Sequence, residues 1–67
     1  MIALTINGRP VTLDGPTPLV AYLGGIAVDP RTVAVEVNGR ILHRTEFEST
    51  TLEEGDAVEV VRMVGGG

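Results

Sequence analysis

Two Asn-Gly dipeptides, Asn7-Gly8 and Asn38-Gly39, constrain the fold of this chain more than any other feature of its sequence. Both residues of such a dipeptide tolerate positive φ, so the pair favours the tight turn of a β-hairpin. Apolar and polar residues alternate on either side of each turn, which is the pattern of half-buried strands. We therefore predict one hairpin over residues 2–14 and a second from strands over residues 33–37 and 41–42.

A short helix is expected between the two hairpins. Thr17 is its candidate N-cap, and Pro18 is the candidate first helical residue, where the missing N–H has no cost. The buried stripe of this helix is expected to contain Leu19, Val20, Leu23 and Ile26. Gly24-Gly25 supplies the C-terminal stop, and packing on a sheet must stabilise so short a helix.

The last strand is predicted over residues 57–64, with Val58 and Val60 on one face and Val61 and Met63 on the other. The element order β-β-α-β-β-β indicates an α+β fold, in which one helix covers one face of a mixed sheet. The order favours the ubiquitin-like β-grasp arrangement, in which the first and last strands lie side by side and parallel. We expect a domain over residues 1–64 and a flexible C-terminal tail over residues 65–67.

The size of the chain argues against a self-sufficient enzyme. A chain of 67 residues without cysteine forms one small domain, with no room for an enclosed active site beside its core. We assign no catalytic and no metal-binding residue. His43 is expected in an exposed loop, and the acidic turn at residues 53–56 lacks the alternating ligands of a calcium loop. Tyr22 is expected to pack at the helix edge.

Charge and hydropathy exclude two classes of partner. The net charge is −4, and the five basic residues are scattered arginines, whereas nucleic-acid binding needs a concentrated basic surface. No apolar run approaches the roughly 20 residues that span a membrane. The N-terminal residues also lack the pattern of a signal peptide, so a cytoplasmic location is expected.

The C-terminal glycines are the candidate functional segment. Gly65 gives access, because a side-chain-free strand can enter a narrow channel in another protein. Gly66 and Gly67 present an α-carboxylate, which is ionised at neutral pH and is a poor electrophile. It becomes an acyl donor only if a partner activates it, and adenylation with MgATP does so. The candidate docking residues beside this tail are Val61, Arg62, Met63 and Val64.

The chain resembles the thiamine-biosynthesis sulfur carriers of the ThiS family over nearly its whole length. The resemblance rests on residues 37–42, 44–47, 52–56, 58–61 and 64–67, whose sequences are VNGRIL, RTEF, LEEGD, VEVV and VGGG. The Gly-Asp turn and the apolar strand that ends in Gly-Gly are its most specific parts. The helix carries less charge than is usual in the family, and His43 stands where a proline is expected.

The resemblance implies a β-grasp fold and a carrier with no permanently bound cofactor. It implies three protein partners, which are a ThiF-like adenylyltransferase that uses MgATP, a sulfur donor protein and a ThiG-like thiazole synthase. Gly67 would hold the sulfur as a thiocarboxylate, with Gly66 beside it. Three alternatives stay open, which are a molybdopterin synthase small subunit, a ubiquitin-like protein modifier and a passive interaction domain. The short length and the VGGG ending favour the thiamine branch.

Overall fold

The structure is a computed structural model that describes residues 1–63. Val64, Gly65, Gly66 and Gly67 lie outside the described residues, so the division of the chain into a domain over residues 1–64 and a tail over residues 65–67 stays a prediction. Residues 1–63 contain seven strands, which are β1 Ile2–Ile6, β2 Arg9–Leu13, β3 Thr17–Pro18, β4 Val33–Val37, β5 Arg40–Ile41, β6 Thr51–Leu52 and β7 Ala57–Arg62.

Five of these strands form the main sheet, in the order β2-β1-β7-β4-β5. Both predicted hairpins are confirmed, and Asn7 and Asn38 each take a φ of 53° at their turns. Strands β1 and β7 are parallel neighbours in the middle of the sheet, as the β-grasp arrangement requires. Strand β7 also pairs antiparallel with β4, from Val33 opposite Arg62 to Val37 opposite Val58.

Strands β3 and β6 form a separate two-stranded sheet, which the sequence analysis did not predict. The prediction of Thr17 as N-cap was wrong, because Thr17 pairs with Leu52 in this sheet and its hydroxyl donates to the Gly15 carbonyl at 2.8 Å. Pro18 lies in β3 and has a ψ of 136°, so it precedes the helix rather than opening it. The backbone N–H of Leu19 donates to the Thr50 carbonyl at 2.9 Å, which ties the helix start to this small sheet.

The single α-helix of the described residues, α1, spans Leu19–Gly25. Leu19 and Leu23 are fully buried, whereas Val20 and Ile26 are 37% and 48% exposed, so two of the four predicted stripe positions are wrong. A helix of only two turns presents one pair of residues four apart to the sheet, and Ile26 already lies beyond its end. The predicted edge position of Tyr22 is confirmed, because its half-buried side chain packs against the core.

The core lies between α1 and one face of the main sheet. Its buried side chains are Ile2, Leu4, Ile6, Leu19, Leu23, Val33, Val35, Leu42, Phe47, Leu52 and Val58. No polar or charged residue is buried within residues 1–63. Two 3₁₀ helices of the described residues, Pro30–Thr32 and Arg44–Ser49, complete the connections, and the second places Phe47 in the core. One face of the sheet is thereby covered, and the opposite face stays open.

Candidate functional site

The candidate site is built on β7, the strand that leads toward the C-terminal glycines. Strand β7 lies between two hydrogen-bonded neighbours, because Ile6 of β1 pairs with Val58 and Val33 of β4 pairs with Arg62. The pairing with the β4 side continues past the strand, since the N–H of Met63 donates to the Thr32 carbonyl at 2.9 Å. The strand pairing with β1 ends at Val58, so the last described residues leave the central strand held by hydrogen bonds on the β4 side.

Asn7 extends the pairing of β1 with β7 beyond the end of β1. Its Oδ1 accepts from the N–H of Val60 at 2.7 Å, and its Nδ2 donates to the carbonyl of the same residue at 3.2 Å. The side-chain amide thus replaces one residue of a neighbouring strand. Sequence reasoning treated Asn7 only as a turn residue and missed this contact.

Asn38 makes the corresponding contacts at the start of β7. Its Oδ1 accepts from the N–H of Ala57 at 2.9 Å, and its Nδ2 donates to Oδ1 of Asp56 at 3.0 Å. The Asn38 N–H also donates to the Ala57 carbonyl at 2.8 Å. The asparagines of the two hairpin turns therefore bind the same strand, Asn38 at its first residue and Asn7 at its fourth. The sequence shows that each asparagine directly follows the first strand of its hairpin, but it does not show that both asparagines bind β7.

The predicted docking residues divide between the two faces of the sheet. Val61 and Met63 are 57% and 50% exposed, and strand alternation places both on the open face. Arg62 is exposed at the end of the face that carries Val58 and the helix, so it does not share a surface with Val61 and Met63. Val64 lies outside the described residues. The structure thus brings two of the four candidates together as an apolar surface.

Arginines lie near the end of β7 although the chain is acidic overall. Arg62 is the strand partner of Val33, which follows the 3₁₀ segment that contains Arg31. Nη2 of Arg44 donates to the Arg31 carbonyl at 3.2 Å, so Arg44 lies there as well. The Arg31 side chain binds Asp29, and this hydrogen bond is the main reason why the pKa of Asp29 is below its ordinary value.

The carboxylates of the acidic turn before β7 accept hydrogen bonds from backbone N–H groups. Oε1 of Glu54 accepts from the N–H of Ala3 at 2.9 Å, and Oδ2 of Asp56 accepts from the N–H of Glu53 at 2.8 Å. Each carboxylate satisfies a backbone donor that would otherwise rely on water. No group of three or more potential metal ligands occurs in the described part of the chain.

His43 precedes the second 3₁₀ helix and is exposed, as predicted. Its backbone N–H donates to Oε1 of Glu46 at 2.8 Å, and the Glu46 N–H donates to the His43 carbonyl at 2.8 Å. The pKa of Glu46 is lowered, first by this backbone donor and then by the Arg40 guanidinium, whose Nη1 lies 3.1 Å from Oε2. The contacts of His43 and Glu46 therefore stabilise the start of this 3₁₀ helix.

Comparison with known proteins identifies close relatives. The ThiS family model matches residues 4–67. The sulfur carrier protein ThiS of Thermus thermophilus is 37% identical over 62 residues, which are 92% of this chain and 95% of that protein. The crystal structure of the thiamine biosynthesis protein ThiS from Geobacter metallireducens superposes with a TM-score of 0.83 at 39% identity, covering 98% of this chain and 100% of that one.

A longer protein also contains a similar segment. The thiazole synthase of Magnetococcus marinus is 37% identical over 62 residues, which are 92% of this chain but only 19% of that protein. Within residues 1–63, no helix is long and apolar enough to cross a membrane.

Proposed function

Because the chain belongs to the ThiS family of sulfur carriers in thiamine biosynthesis, we propose that its reactive group is the α-carboxylate of Gly67. The observation that carries this proposal is that the family match extends through Gly67, so it includes the glycine segment and not only the folded domain. The pairing of β7 with β4 as far as Arg62, continued by the Met63 N–H, supports it, because the glycine segment then begins at a hydrogen-bonded end of the central strand.

The proposed chemistry begins with an adenylating enzyme of the ThiF type. A carboxylate oxygen of Gly67 attacks the α-phosphorus of ATP, pyrophosphate leaves, and an acyl adenylate forms. A sulfur nucleophile at the oxidation level of hydrosulfide, delivered by a donor protein, then attacks the carbonyl carbon, so that a C–S bond forms as the C–O bond to AMP breaks and a proton is released to solvent. The product is a thiocarboxylate at Gly67. MgATP is a substrate of the partner, and the carrier needs no resident cofactor of its own.

We propose a thiazole synthase of the ThiG type as the acceptor of this sulfur. The Magnetococcus thiazole synthase, which has a segment similar to this chain, supports the pairing because carrier-like and synthase sequences occur in one protein. In this scheme the chain is a protein co-substrate, and its partners supply the catalytic groups. The use of ATP and of reduced sulfur is consistent with a cytoplasmic reaction.

The adenylation step is tested by intact-mass measurement. The chain is incubated with a ThiF-type enzyme, MgATP and a sulfur source, and its mass should rise by the difference between one sulfur and one oxygen atom. A variant that lacks Gly67 should keep the folded circular dichroism spectrum and gain no mass. An unchanged mass of the intact chain, with an enzyme that modifies another ThiS protein, would refute the proposal. Sulfur transfer by the truncated variant would refute the role of Gly67.

Docking through the open face is tested with a matched pair of apolar substitutions. Val61→Ser removes apolar surface from the end of β7, whereas Val20→Ser makes the same substitution at a less exposed valine of the helix, on the other side of the domain. We expect Val61→Ser to raise the KM for the adenylating enzyme about tenfold, because burying an aliphatic side chain contributes about 1.5–3 kcal/mol. Val20→Ser should leave the KM within about twofold of the unsubstituted chain. Equal effects of the two variants would exclude the open face as the docking surface.

A further inference from the structure

A groove on the open face of the main sheet has a composition that the proposed tail chemistry does not explain. It encloses about 240 Å³ and lies beside β7. Its lining residues are Ala34, Val35, Glu36, Ile41, Glu59 and Val61. Ile41 and Val61 are among the most exposed large apolar side chains of the domain, at 69% and 57%. The groove therefore combines apolar walls with two carboxylates.

The two carboxylates lie directly opposite each other in the sheet. Glu36 of β4 pairs with Glu59 of β7, and Ile41 of β5 pairs with Glu36 on its other side. Residues opposite each other in an antiparallel pair have Cβ atoms about 4.5–5.5 Å apart, and like charges there are destabilising. Strand pairing has thus placed two negative charges side by side on an exposed face.

The arginines of the chain do not compensate this pair. Among residues 1–63, the salt bridges join Arg31 to Asp29 and Arg40 to Glu46, and neither includes Glu36 or Glu59. Arg40 is the strand neighbour of Ile41 and points to the other face, where it binds Glu46. The folded domain therefore places two like charges opposite each other, and neither forms a salt bridge within residues 1–63. Such local conflicts with stability are expected where a surface serves binding.

We propose that this groove binds one basic side chain, an arginine or a lysine, of the adenylating partner. The aliphatic stem of that side chain would lie over Ile41 and Val61, as long basic side chains commonly cover apolar surface. Its charged end would lie between Glu36 and Glu59, where two carboxylates accept charge-assisted hydrogen bonds. This proposal rests on the proposed function, because it names the partner group that docks the carrier for activation.

Charge complementarity selects this occupant over a second copy of the chain. The chain has no lysine, and within residues 1–63 two of its five arginines form salt bridges, so a second copy offers few basic side chains to this groove. The groove also shares Val61 with the proposed docking surface beside the tail. A basic side chain seated there would therefore fix the domain while the C-terminal segment extends toward the partner's reaction centre.

The test compares two doubly substituted chains of equal charge. Glu36→Gln/Glu59→Gln removes the two groove carboxylates, and Asp14→Asn/Glu48→Gln removes two exposed carboxylates elsewhere. Each pair changes the formal net charge from −4 to −2. We expect the groove variant to raise the KM for a ThiF-type enzyme about tenfold, with unchanged kcat, and to weaken the dependence of KM on salt. The control variant should stay within about twofold.

Two further measurements separate the possible outcomes. Calorimetry measures the affinity of each chain for the same enzyme without ATP, so it tests the groove independently of the chemistry. If the unsubstituted chain forms no thiocarboxylate, the proposed function fails, but this comparison of affinities still tests the groove. Thermal unfolding should show that the groove variant is at least as stable as the unsubstituted chain. Equal KM and affinity for the groove and control variants would overturn the proposal. Loss of self-association in sedimentation, with unchanged enzyme affinity, would overturn it in favour of a second copy as occupant.

Discussion

Asn7 and Asn38 show how one residue type can serve the turn and the strand beside it. Each has a φ of 53°, a left-handed conformation that asparagine tolerates better than most residues. In each case the same side chain bonds to the backbone of β7, Asn7 at Val60 and Asn38 at Ala57. Replacement of either residue therefore affects both the hairpin and the strand that leads to the proposed reactive end.

Asn7→Ala should lower the free energy of unfolding by about 1–3 kcal/mol. Two hydrogen bonds to Val60 are lost, each contributing about 1 kcal/mol net, and alanine tolerates the left-handed backbone poorly. Asn7→Gly is the matched control, because glycine keeps the turn and loses only the hydrogen bonds. Urea denaturation should place Asn7→Gly between Asn7→Ala and the unsubstituted chain. Three equal midpoints would show that the Asn7 amide does not stabilise β7.

Glu46→Gln should make stability less dependent on pH in the acidic range. The pKa of Glu46 is lowered in the folded state by the His43 backbone N–H and then by Arg40, so its ionised form stabilises the fold. The direction of the effect follows from linkage between proton binding and folding. A carboxyl group whose pKa is lowered by folding stabilises the fold at pH values above its ordinary pKa of about 4.5, and this stabilisation is lost as the pH falls through the lowered pKa.

The expected measurement is a series of thermal midpoints between neutral and acidic pH. Glu46→Gln should melt below the unsubstituted chain at pH 7, and the difference should close as the solution is acidified. Glu48→Gln serves as the control, since Glu48 is an exposed neighbour in the same 3₁₀ helix. A constant difference across the series would mean that the charge of Glu46 is irrelevant to stability.

At the scale of elements, the C-terminal end of helix α1 has a glycine inside the helix and an alanine in the left-handed position after it. Gly24 lies inside the helix, whereas Ala27, just beyond the helix end, has a φ of 60°. The N–H groups of Ala27 and Val28 donate to the carbonyls of Gly24 and Leu23, so the left-handed turn at Ala27 closes the last helical turn. Glycine commonly occupies such a position after a helix, and alanine favours helix interiors.

Placing alanine at position 24 and glycine at position 27 should therefore stabilise the domain. Ala27→Gly relieves the left-handed strain of alanine, and Gly24→Ala improves helix propensity, with open space around the added Cβ. Each substitution should raise the free energy of unfolding by about 0.5–1 kcal/mol in urea denaturation. The double variant should show the sum of the two effects. Destabilisation by Ala27→Gly would contradict the backbone conformation at this residue.

The limits of sequence prediction at this scale follow from long-range pairing. The hairpin strands were predictable, because alternation and the Asn-Gly turns are local signals. The pairing of Thr17 with Leu52 joins residues 35 positions apart, and no local pattern marks two strands of two residues each. The local sequence Thr17-Pro18 favours the start of a helix. The pairing of these residues with β6 places them in a strand instead.

At the scale of the whole molecule, one short helix supports the core from one side. Leu23→Ala should lower the free energy of unfolding by about 2–5 kcal/mol, because Leu23 is fully buried and its removal leaves a cavity. Val20→Ala, on the exposed side of the same helix, should change it by less than about 0.5 kcal/mol. Urea denaturation followed by circular dichroism compares the stabilities of the two variants. A Leu23→Ala chain that is already unfolded without urea agrees with the expected loss of stability. Similar midpoints for the two variants would contradict the burial of Leu23.

The candidate site was only partly predictable for a related reason. The separation of Val61 and Met63 from Val58 follows from strand alternation and was visible in the sequence. The juxtaposition of Glu36 and Glu59 depends on the register between β4 and β7, which alternation alone does not fix. The sequence thus indicated which residues of β7 face outward, and the structure was needed to find their neighbours across the sheet.

The central position of β7 has a mechanical consequence. A pull on the C-terminal side of Arg62 along the strand axis loads the hydrogen bonds to β1 and to β4 in shear, so that many bonds must yield together. Forced unfolding depends on the rate of crossing that barrier. The domain can therefore serve as a firm anchor for tension applied through its C-terminal end.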